Sequence, residues 1–159
     1  MLLAQLLIVV IAANAAPIIA TRILGNRFSA PIDLGARMFD GRPVLGPSKT
    51  LRGLFAGILA AMASAAALGL PWTIGFWLGL GAMAGDLCSS FVKRRVGIPA
   101  SGMALGLDQI PEALFPLLIV QTRLGLTASD VGDLIVLFLV FELMVSRILF
   151  RLRIRKQPY

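Results

Sequence analysis

The longest uncharged stretch of the chain, residues 53–85, limits the possible folds more than any other feature. It contains 33 residues, and as a single α-helix it would be about 50 Å long, at about 1.5 Å per residue. A hydrocarbon core of about 30 Å needs only about 20 residues. Residues 69–71, Gly-Leu-Pro, interrupt a helix near the middle of the stretch. The sequence therefore predicts two antiparallel membrane spans joined by a short turn.

The composition also indicates a membrane protein. Hydrophobic residues make up 58% of the chain and charged residues 14%, whereas a soluble domain carries about 25% charged residues. The formal net charge of +7 raises the alternative of nucleic-acid binding, but no basic stretch has interleaved aromatics or a recognition motif. Basic loops on the cytoplasmic side of a membrane explain the charge more simply. We therefore predict a bilayer partner and no nucleic acid.

Three further segments complete the set of predicted spans. Residues 1–21 carry no charge; a cleaved signal peptide is the alternative, although the expected basic n-region is absent. Residues 113–122 are too short to cross alone, so that span must extend back through Glu112 and Asp108. The last span carries Glu142. We predict an all-α integral membrane protein, a single domain over residues 1–159. Its spans are 1–21, 54–69, 72–91, 107–124 and 131–149, and its polar loops are 22–52 and 92–106.

The positions of lysine and arginine predict how these spans are oriented. The two polar loops and the segment from Arg147 onward carry all but one of the 15 basic residues, and only Arg123 falls on the opposite side. Cytoplasmic loops are enriched in lysine and arginine. We expect an integral cell-membrane protein with its N-terminus outside and both loops and the C-terminus in the cytoplasm.

The predicted loops bring carboxylates and cations to one face of the membrane. The carboxylates are Asp33, Asp40, Asp86, Asp108 and Glu112, and the cations are Arg42, Lys49, Arg52, Lys93 and Arg94. The chain has no histidine and one cysteine, which excludes zinc sites and histidine-dependent catalysis. Any metal is then an oxygen-ligated cation, Mg²⁺ or Mn²⁺. This set suits phosphoryl or nucleotidyl transfer, where positioning and charge neutralisation supply most of the catalysis.

Helical spacing places part of this set on one surface. If the third span continues beyond Phe91, then Asp86, Ser90, Lys93 and Gly97 share one helix face. That face would offer a metal ligand and phosphate-binding cations, although residues 93–95 alone also fit a topology determinant. Carboxylates within spans are costly and usually mark a functional site. Glu142 fits a structural hydrogen bond and a site role equally well.

Six motifs occur in order along nearly the whole chain. They are Asn14-x-x-Pro17, Pro31-Ile-Asp33-x-Gly35, Asp40-Gly41-Arg42, Gly46-x-x-Lys49-Thr50-x-Arg52-Gly53, Gly85-Asp86-x-x-x-Ser90-x-x-Lys93-Arg94-x-x-Gly97 and Leu107-Asp108-Gln109. Together they resemble the CDP-archaeol synthase family, a relative of the CTP:phosphatidate cytidylyltransferases. The resemblance implies an enzyme that moves CMP from CTP onto a lipid phosphate, releasing pyrophosphate, with Mg²⁺ or Mn²⁺. The acceptor, an archaeol-type ether phosphate or phosphatidate, stays open, as does the oligomeric state.

The resemblance also implies roles for individual residues. The catalytic residues are Asp86, Asp108 and Lys93. The CTP-binding residues are Asp40, Arg42, Lys49, Thr50, Arg52, Ser90 and Arg94, and the metal ligands are Asp86, Asp108 and Glu112. The family's second carboxylate after the Asp-Gln pair is replaced here by Pro111, and Glu112 follows one position later. The residue that partners Asp108 on the metal therefore stays open.

Two other classes of protein fit part of the sequence. A CDP-alcohol phosphotransferase shares the Asp40-Gly41-Arg42 start of its signature, but the rest of that signature is missing. A non-catalytic lipid-binding or transport protein would explain the basic face and the intramembrane carboxylates without chemistry. Such a binder should tolerate Asp86→Asn or Asp108→Asn, whereas a nucleotidyltransferase should lose its metal.

Overall fold

Five helices make up most of the structure, a computed structural model that describes residues 1–100, 102 and 104–151. They are α1 (Leu2–Leu24), α2 (Leu51–Ala67), α3 (Trp72–Arg95), α4 (Gln109–Leu124) and α5 (Ala128–Arg151). The described residues contain two isolated β-bridges, both in the loop between α1 and α2, and no strand. Each helix overlaps one predicted span, so the predicted all-α class is confirmed.

The central hairpin forms where the sequence predicts it. Thr50 caps α2, because its side-chain oxygen accepts a hydrogen bond from the Gly53 N–H at 3.2 Å. Helix α2 ends at Ala67, and Pro71 is the N-cap residue of α3. Helix α3 then continues without a break into the charged sequence as far as Arg95. Both loops therefore lie at the same end of the bundle.

Helix α3 approaches its neighbours closely because glycines face them. A Cβ added to Gly75 would lie 2.5 Å from the Ala61 carbonyl oxygen of α2. A Cβ on Gly81 would lie 2.5 Å from the Pro116 Cα of α4, and one on Gly85 would overlap the Pro111 carbonyl oxygen. Small residues at these positions let the backbones come together. The Gly85 contact sets the spacing of α3 and α4 beside Asp86.

We expect Gly85→Ala to lower the free energy of unfolding by about 1–3 kcal/mol, the usual cost of overpacking. The added methyl group would meet the Pro111 backbone, which cannot yield without moving α4. The measurement is the thermal denaturation midpoint of the purified protein in detergent. Gly132→Ala on α5 is the control, since a Cβ there meets nothing within 4 Å. The denaturation midpoint of Gly132→Ala should stay the same or rise. An equal fall in the midpoint of both variants would contradict the packing argument.

The outer surface of the bundle is apolar. Large hydrophobic side chains are exposed on all five helices, among them Ile19, Leu59, Trp72, Leu118 and Val136. The buried core lies between the helices and includes Leu6, Leu78, Leu117 and Phe138. By length and composition, Leu2–Leu24 and Trp72–Arg95 are apolar enough to cross a membrane. The count of five crossings stays a prediction.

Candidate active site

A cavity of about 650 Å³ with a charged wall lies where the loop between α1 and α2 meets the helices. All five helices and the loop between α1 and α2 contribute to its wall. Its charged lining residues are Arg22, Lys49, Arg52, Asp86, Lys93, Asp108, Glu112 and Glu142. The volume lies within the range of small-molecule sites, about 300–1,000 Å³. Seven residues predicted for the site meet here, since Thr50 lines the cavity as well.

The first charged pair in the cavity joins the long loop to α3. The Lys49 ammonium lies 2.5 Å from Asp86 Oδ1, and both side chains are about one-fifth exposed, at 20% and 21%. The backbone of Lys49 is held in place, because its carbonyl oxygen accepts a hydrogen bond from the Ile32 N–H at 2.8 Å. The pair therefore presents an anchored cation and a carboxylate to the same space.

Asp33 shapes the loop that carries Lys49. Its Oδ2 accepts hydrogen bonds from the N–H groups of Leu45 and Gly46, both at 2.9 Å, and its Oδ1 accepts one from Gly35 at 3.1 Å. Partial burial raises the pKa of Asp33, but these backbone donors outweigh it and hold the pKa below its ordinary value. The carboxylate stays ionised at neutral pH and fixes the turn before Lys49. Asp33 thus supports the site from outside the cavity.

The second charged pair lies deeper. The Lys93 ammonium is 2.6 Å from Asp108 Oδ1, and the two side chains are 9% and 14% exposed. Lys93 also donates a hydrogen bond to the Gly102 carbonyl oxygen at 3.1 Å, while Asp108 Oδ2 accepts one from the Ala104 N–H at 3.2 Å. Asp108 Oδ1 is buried without a hydrogen bond, so its contact with Lys93 is an ion pair lacking hydrogen-bond geometry.

Glu112 lies beside Asp86. It occupies the first turn of α4 and is only 9% exposed. The carboxyl groups of Asp86 and Glu142 and the ammonium of Lys49 all lie within electrostatic range of its carboxyl group. The close contact between Gly85 and Pro111 produces this arrangement, because Asp86 and Glu112 are the next residues along their helices. Two acidic groups therefore adjoin at the cavity wall.

The start of α2 also faces the cavity. Thr50, Arg52 and Gly53 line it, so the partial positive charge of the helix N-terminus is directed toward the space. Arg52 ties this helix to the end of α1: Nη1 donates to the carbonyl oxygens of Gly25 at 2.9 Å and Arg27 at 2.5 Å. Backbone donors at a helix N-terminus favour anions.

Four predicted CTP-binding residues, Asp40, Arg42, Ser90 and Arg94, do not line the cavity. Arg42 Nη1 donates to the Arg95 carbonyl oxygen at 2.5 Å, at the C-terminal end of α3. The pKa of Asp40 is lowered by the Arg42 N–H and by the Arg95 guanidinium, whose Nη1 lies 2.8 Å from Asp40 Oδ1. Arg94 Nη2 donates to the Pro99 carbonyl oxygen at 2.9 Å, and Ser90 is buried. The contacts of Asp40 and Arg42 hold the loop between α1 and α2 against the end of α3. The nucleotide roles of these four residues stay predictions.

Among the charged residues that line the cavity, Arg22 is the one to which the sequence assigned no role in the site. The first span was predicted to end at residue 21, whereas α1 continues to Leu24. Asn14, Ile18 and Arg22 then recur at every fourth position of one helix and all line the cavity. This four-residue spacing is the feature of the sequence that could have indicated that Arg22 faces the site. A basic residue directly after a span is also explained by membrane topology. For that reason the sequence alone did not indicate a role for Arg22 in the site.

The fold and the site together define a class, a helical bundle with an apolar outer surface and a charged cavity at one end. Comparison with known proteins identifies the family. The CarS-like family described as CDP-archaeol synthase matches residues 1–159, and the chain belongs to this family. The family prediction from the sequence is therefore confirmed.

Individual relatives agree with this assignment. The CDP-archaeol synthase of Methanopyrus kandleri is 45% identical over 86 residues, covering 50% of each chain. That of Hyperthermus butylicus is 42% identical over 106 residues, covering 63% of this chain and 60% of its own. These alignments span half to three-fifths of the relatives' lengths. The synthase of Pyrococcus abyssi is 30% identical over 158 residues, covering 92% of this chain and 90% of its own.

A solved structure supports the membrane location. It is described as "Structural insight into an intramembrane enzyme for archaeal membrane lipids biosynthesis" and superposes with a TM-score of 0.75 at 33% identity. The match covers 89% of this chain and 90% of that one. The prediction of a membrane-embedded helical protein is thereby confirmed at the level of the family.

Proposed function

We propose that the chain is a CTP:lipid-phosphate cytidylyltransferase, which moves CMP from CTP onto a membrane lipid phosphate and releases pyrophosphate. One observation carries the proposal: a single cavity, at the loop end of a membrane-embedded bundle, brings Lys49 and Lys93 together with Asp86, Asp108 and Glu112. The relatives named CDP-archaeol synthase indicate the lipid chemistry. The acceptor is an archaeol-type ether phosphate or the diacyl equivalent, phosphatidate.

The cations of the cavity are suited to a triphosphate. Lys49 and Lys93 each form an ion pair with an aspartate, and a phosphate oxygen would compete with that aspartate for the ammonium group. The N-terminus of α2, which lines the cavity, adds backbone N–H donors and a partial positive charge. We assign Lys49, Lys93 and Arg52 to the triphosphate, with Thr50 fixing the start of the helix.

The residues also fit Mg²⁺ or Mn²⁺. Asp86 and Glu112 adjoin, and the buried Asp108 Oδ1 has no hydrogen bond. The described residues hold no group of three His, Cys, Asp or Glu side chains that would enclose a metal. That agrees with Mg²⁺, which usually takes one or two carboxylates together with substrate phosphates and water. We assign Asp86 and Glu112 as ligands, with Asp108 available to a further position. When bound, the metal would neutralise phosphate charge.

The reaction needs little from the protein beyond position and charge. An oxygen of the lipid phosphate attacks the α-phosphorus of CTP, the bond from that phosphorus to the bridging oxygen breaks, and pyrophosphate leaves. The attacking phosphate is ionised at neutral pH, so no general base is required, in agreement with the absence of histidine. Lys93 would stabilise negative charge on the group being transferred.

We propose that five spans cross the membrane and that the cavity faces the cytoplasm, where CTP is found. The basic loops support this orientation, since positive loops stay on the cytoplasmic side. The N-terminus would then be outside and the C-terminus inside. Residues 152–159, which carry much of the predicted basic tail, lie outside the described residues.

The test is transfer of label from CTP to lipid by the purified protein. CTP labelled at the α-phosphate is offered with Mg²⁺ and, side by side, a dialkyl ether phosphate and diacyl phosphatidate. We expect label in the lipid, an equal amount of pyrophosphate, and no turnover after chelation of the metal. The preferred acceptor would identify the lipid. Absence of label with either acceptor, in folded protein, would favour the non-catalytic lipid-binding alternative.

A further inference from the structure

Residues 30–50 form one folded unit within the loop between α1 and α2. The beginning and end of the unit are joined, because the Ile32 N–H donates a hydrogen bond to the Lys49 carbonyl oxygen at 2.8 Å. Its middle is closed by a hydrogen bond from the Val44 N–H to the Ala36 carbonyl oxygen at 3.0 Å. The position of Lys49 therefore depends on where the whole unit lies against the helices.

Two arginines that reach in opposite directions fasten this unit to the C-terminal end of α3. Arg42 of the unit donates from Nη1 to the carbonyl oxygens of Arg94 at 3.3 Å and Arg95 at 2.5 Å. Arg95 of α3 donates from Nη1 to Asp40 Oδ1 at 2.8 Å and from Nη2 to the Pro43 carbonyl oxygen. We call these four contacts the arginine clamp.

Both guanidinium groups lie where a positive charge is favoured. The last carbonyl groups of a helix lack intrahelical partners and carry partial negative charge, and these are the groups that Arg42 meets. Gly97 leaves room for this contact, since a Cβ there would lie 3.3 Å from Arg42 Nη2. The Arg95 guanidinium lies over the Phe91 ring, 5.3 Å from its centroid, which helps to orient the side chain. The clamp is thus supported from both sides.

The clamp lies outside the cavity but bears on its wall. None of the clamp residues lines the cavity, whereas residues 47–49 of the same unit do. Gly46, just before them, packs on the side chain of Arg94, where a Cβ would lie 3.4 Å from Nη1. If the clamp opened, the pair of Lys49 with Asp86 would be the one ion pair among the described residues that still joins the unit to α3.

We propose that Arg95 is a positioning residue for CTP: through the arginine clamp it holds the unit against α3 and so places Lys49 for the triphosphate. The inference rests on the proposed function, which assigns Lys49 to the triphosphate. When the unit is released, only the fraction of molecules with the unit in place can bind CTP. The apparent Kd is then the intrinsic Kd divided by that fraction.

Arg95→Gln tests the clamp from α3. The pair with Asp40 is partly exposed, with Arg95 at 23% and Asp40 at 41%. Its loss should raise the Kd for CTP with Mg²⁺, measured by calorimetry without acceptor, by about fivefold, the upper range for such a pair. The KM for CTP should rise by the same factor and kcat should stay within about twofold of the wild type, because saturating CTP selects the closed unit.

Two variants show whether the effect belongs to the clamp. Arg95→Lys should recover part of the CTP affinity, since a lysine can pair with Asp40 but lacks the fork that also reaches the Pro43 carbonyl. Arg27→Gln is the charge-matched control, because Arg27 is exposed in the same loop and does not line the cavity. Equal CTP affinities in Arg95→Gln and Arg27→Gln would overturn the proposal.

A pair of glycines tests the Arg42 side of the clamp. Gly97 has φ +85° and lies against Arg42, whereas Gly69, between α2 and α3, has φ +77° and open space around it. Alanine strains the backbone at either position, but only Gly97→Ala crowds the guanidinium of Arg42. We expect Gly97→Ala alone to weaken CTP binding. Equal CTP affinities in the two variants would contradict a role for the clamp.

A double variant distinguishes positioning from direct contact with CTP. If Asp40 acts only through Arg95, then Asp40→Asn should cause no further loss of CTP affinity once Arg95→Gln is present, as expected for residues that act as one unit. Additive losses would mean that Asp40 contacts the nucleotide directly and would overturn the proposal.

A distance measurement separates this inference from the proposed function. Spin labels are attached to Phe39→Cys in the unit and Met144→Cys on α5, both exposed, in a Cys88→Ser background in lipid nanodiscs. We expect one narrow distance distribution, a broader one after Arg95→Gln, and narrowing again with CTP and Mg²⁺. That pattern in a protein that transfers no CMP would support the clamp and reject the enzyme. CMP transfer with a distribution that Arg95→Gln leaves unchanged would do the reverse.

Discussion

Asp86→Asn is expected to reduce the rate of CMP transfer by about 10²–10³-fold, the usual effect of removing one group that stabilises charge in a transition state. Asparagine keeps the shape of the side chain but removes the charge that pairs with Lys49 at 2.5 Å. It also removes one of the two adjoining carboxylates that we assign to the metal. The measurement is the initial rate of label transfer from CTP to lipid.

The control for Asp86→Asn is Asp133→Asn. Asp133 is exposed near the start of α5 and is not part of the cavity wall, so this variant changes the net charge equally while leaving the site intact. Its rate should match the wild type. Binding of Mn²⁺ in the presence of CTP, followed by electron paramagnetic resonance, gives a readout independent of turnover and should weaken in Asp86→Asn alone. Full activity in Asp86→Asn would reject the metal-ligand assignment and favour the non-catalytic alternative.

Much of the helical architecture could be predicted from the sequence, because it depends on local features. Uncharged runs mark apolar helices, and the break at residues 69–71 falls between α2 and α3. The ends of the helices were less predictable, since α1 runs to Leu24 and α3 to Arg95. Polar residues can continue a helix when packing against other parts of the chain supports it. The five membrane crossings rest on patterns of charge and remain a prediction.

The site was predictable to the extent that it depends on one helix. Asp86 and Lys93 lie on one face of α3 by spacing alone, and both line the cavity. Their partners could not be derived in this way. Lys49 reaches Asp86 because Asp33 fixes the turn before it, and Glu112 reaches Asp86 because Gly85 admits the backbone of α4. Both arrangements depend on contacts distant in sequence.

The contacts of the loops could not be predicted from the sequence either. Asp40 and Arg42 carry charges typical of a nucleotide site, yet in the structure they bind the end of α3. A sequence motif specifies which residues are present. It does not specify whether a charge meets a ligand or another part of the chain. Asp108 pairs with Lys93 in the structure, and the residue that would partner Asp108 on a metal stays a prediction.

The Lys93 and Asp108 pair allows catalysis to be separated from folding. Either Lys93→Met or Asp108→Asn leaves an uncompensated charge in a site where the two side chains are only 9% and 14% exposed. Loss of one partner of a buried pair costs about 3–5 kcal/mol of folding free energy. Each single variant should therefore lower the thermal denaturation midpoint in detergent and abolish most CMP transfer. Asp40→Asn, which breaks the more exposed pair with Arg95, should leave the midpoint nearly unchanged.

The double variant Lys93→Met/Asp108→Asn has no buried charge at this position, so its midpoint should return toward that of the wild type. Its rate of CMP transfer should stay low, by about 10²-fold or more, because electrostatic stabilisation of the transferred group is still missing. Recovery of both stability and activity would show that the pair is structural and that neither residue is catalytic. Recovery of stability alone would mean that the protein maintains two charges in a poorly solvated cavity for the reaction, since folding does not require them.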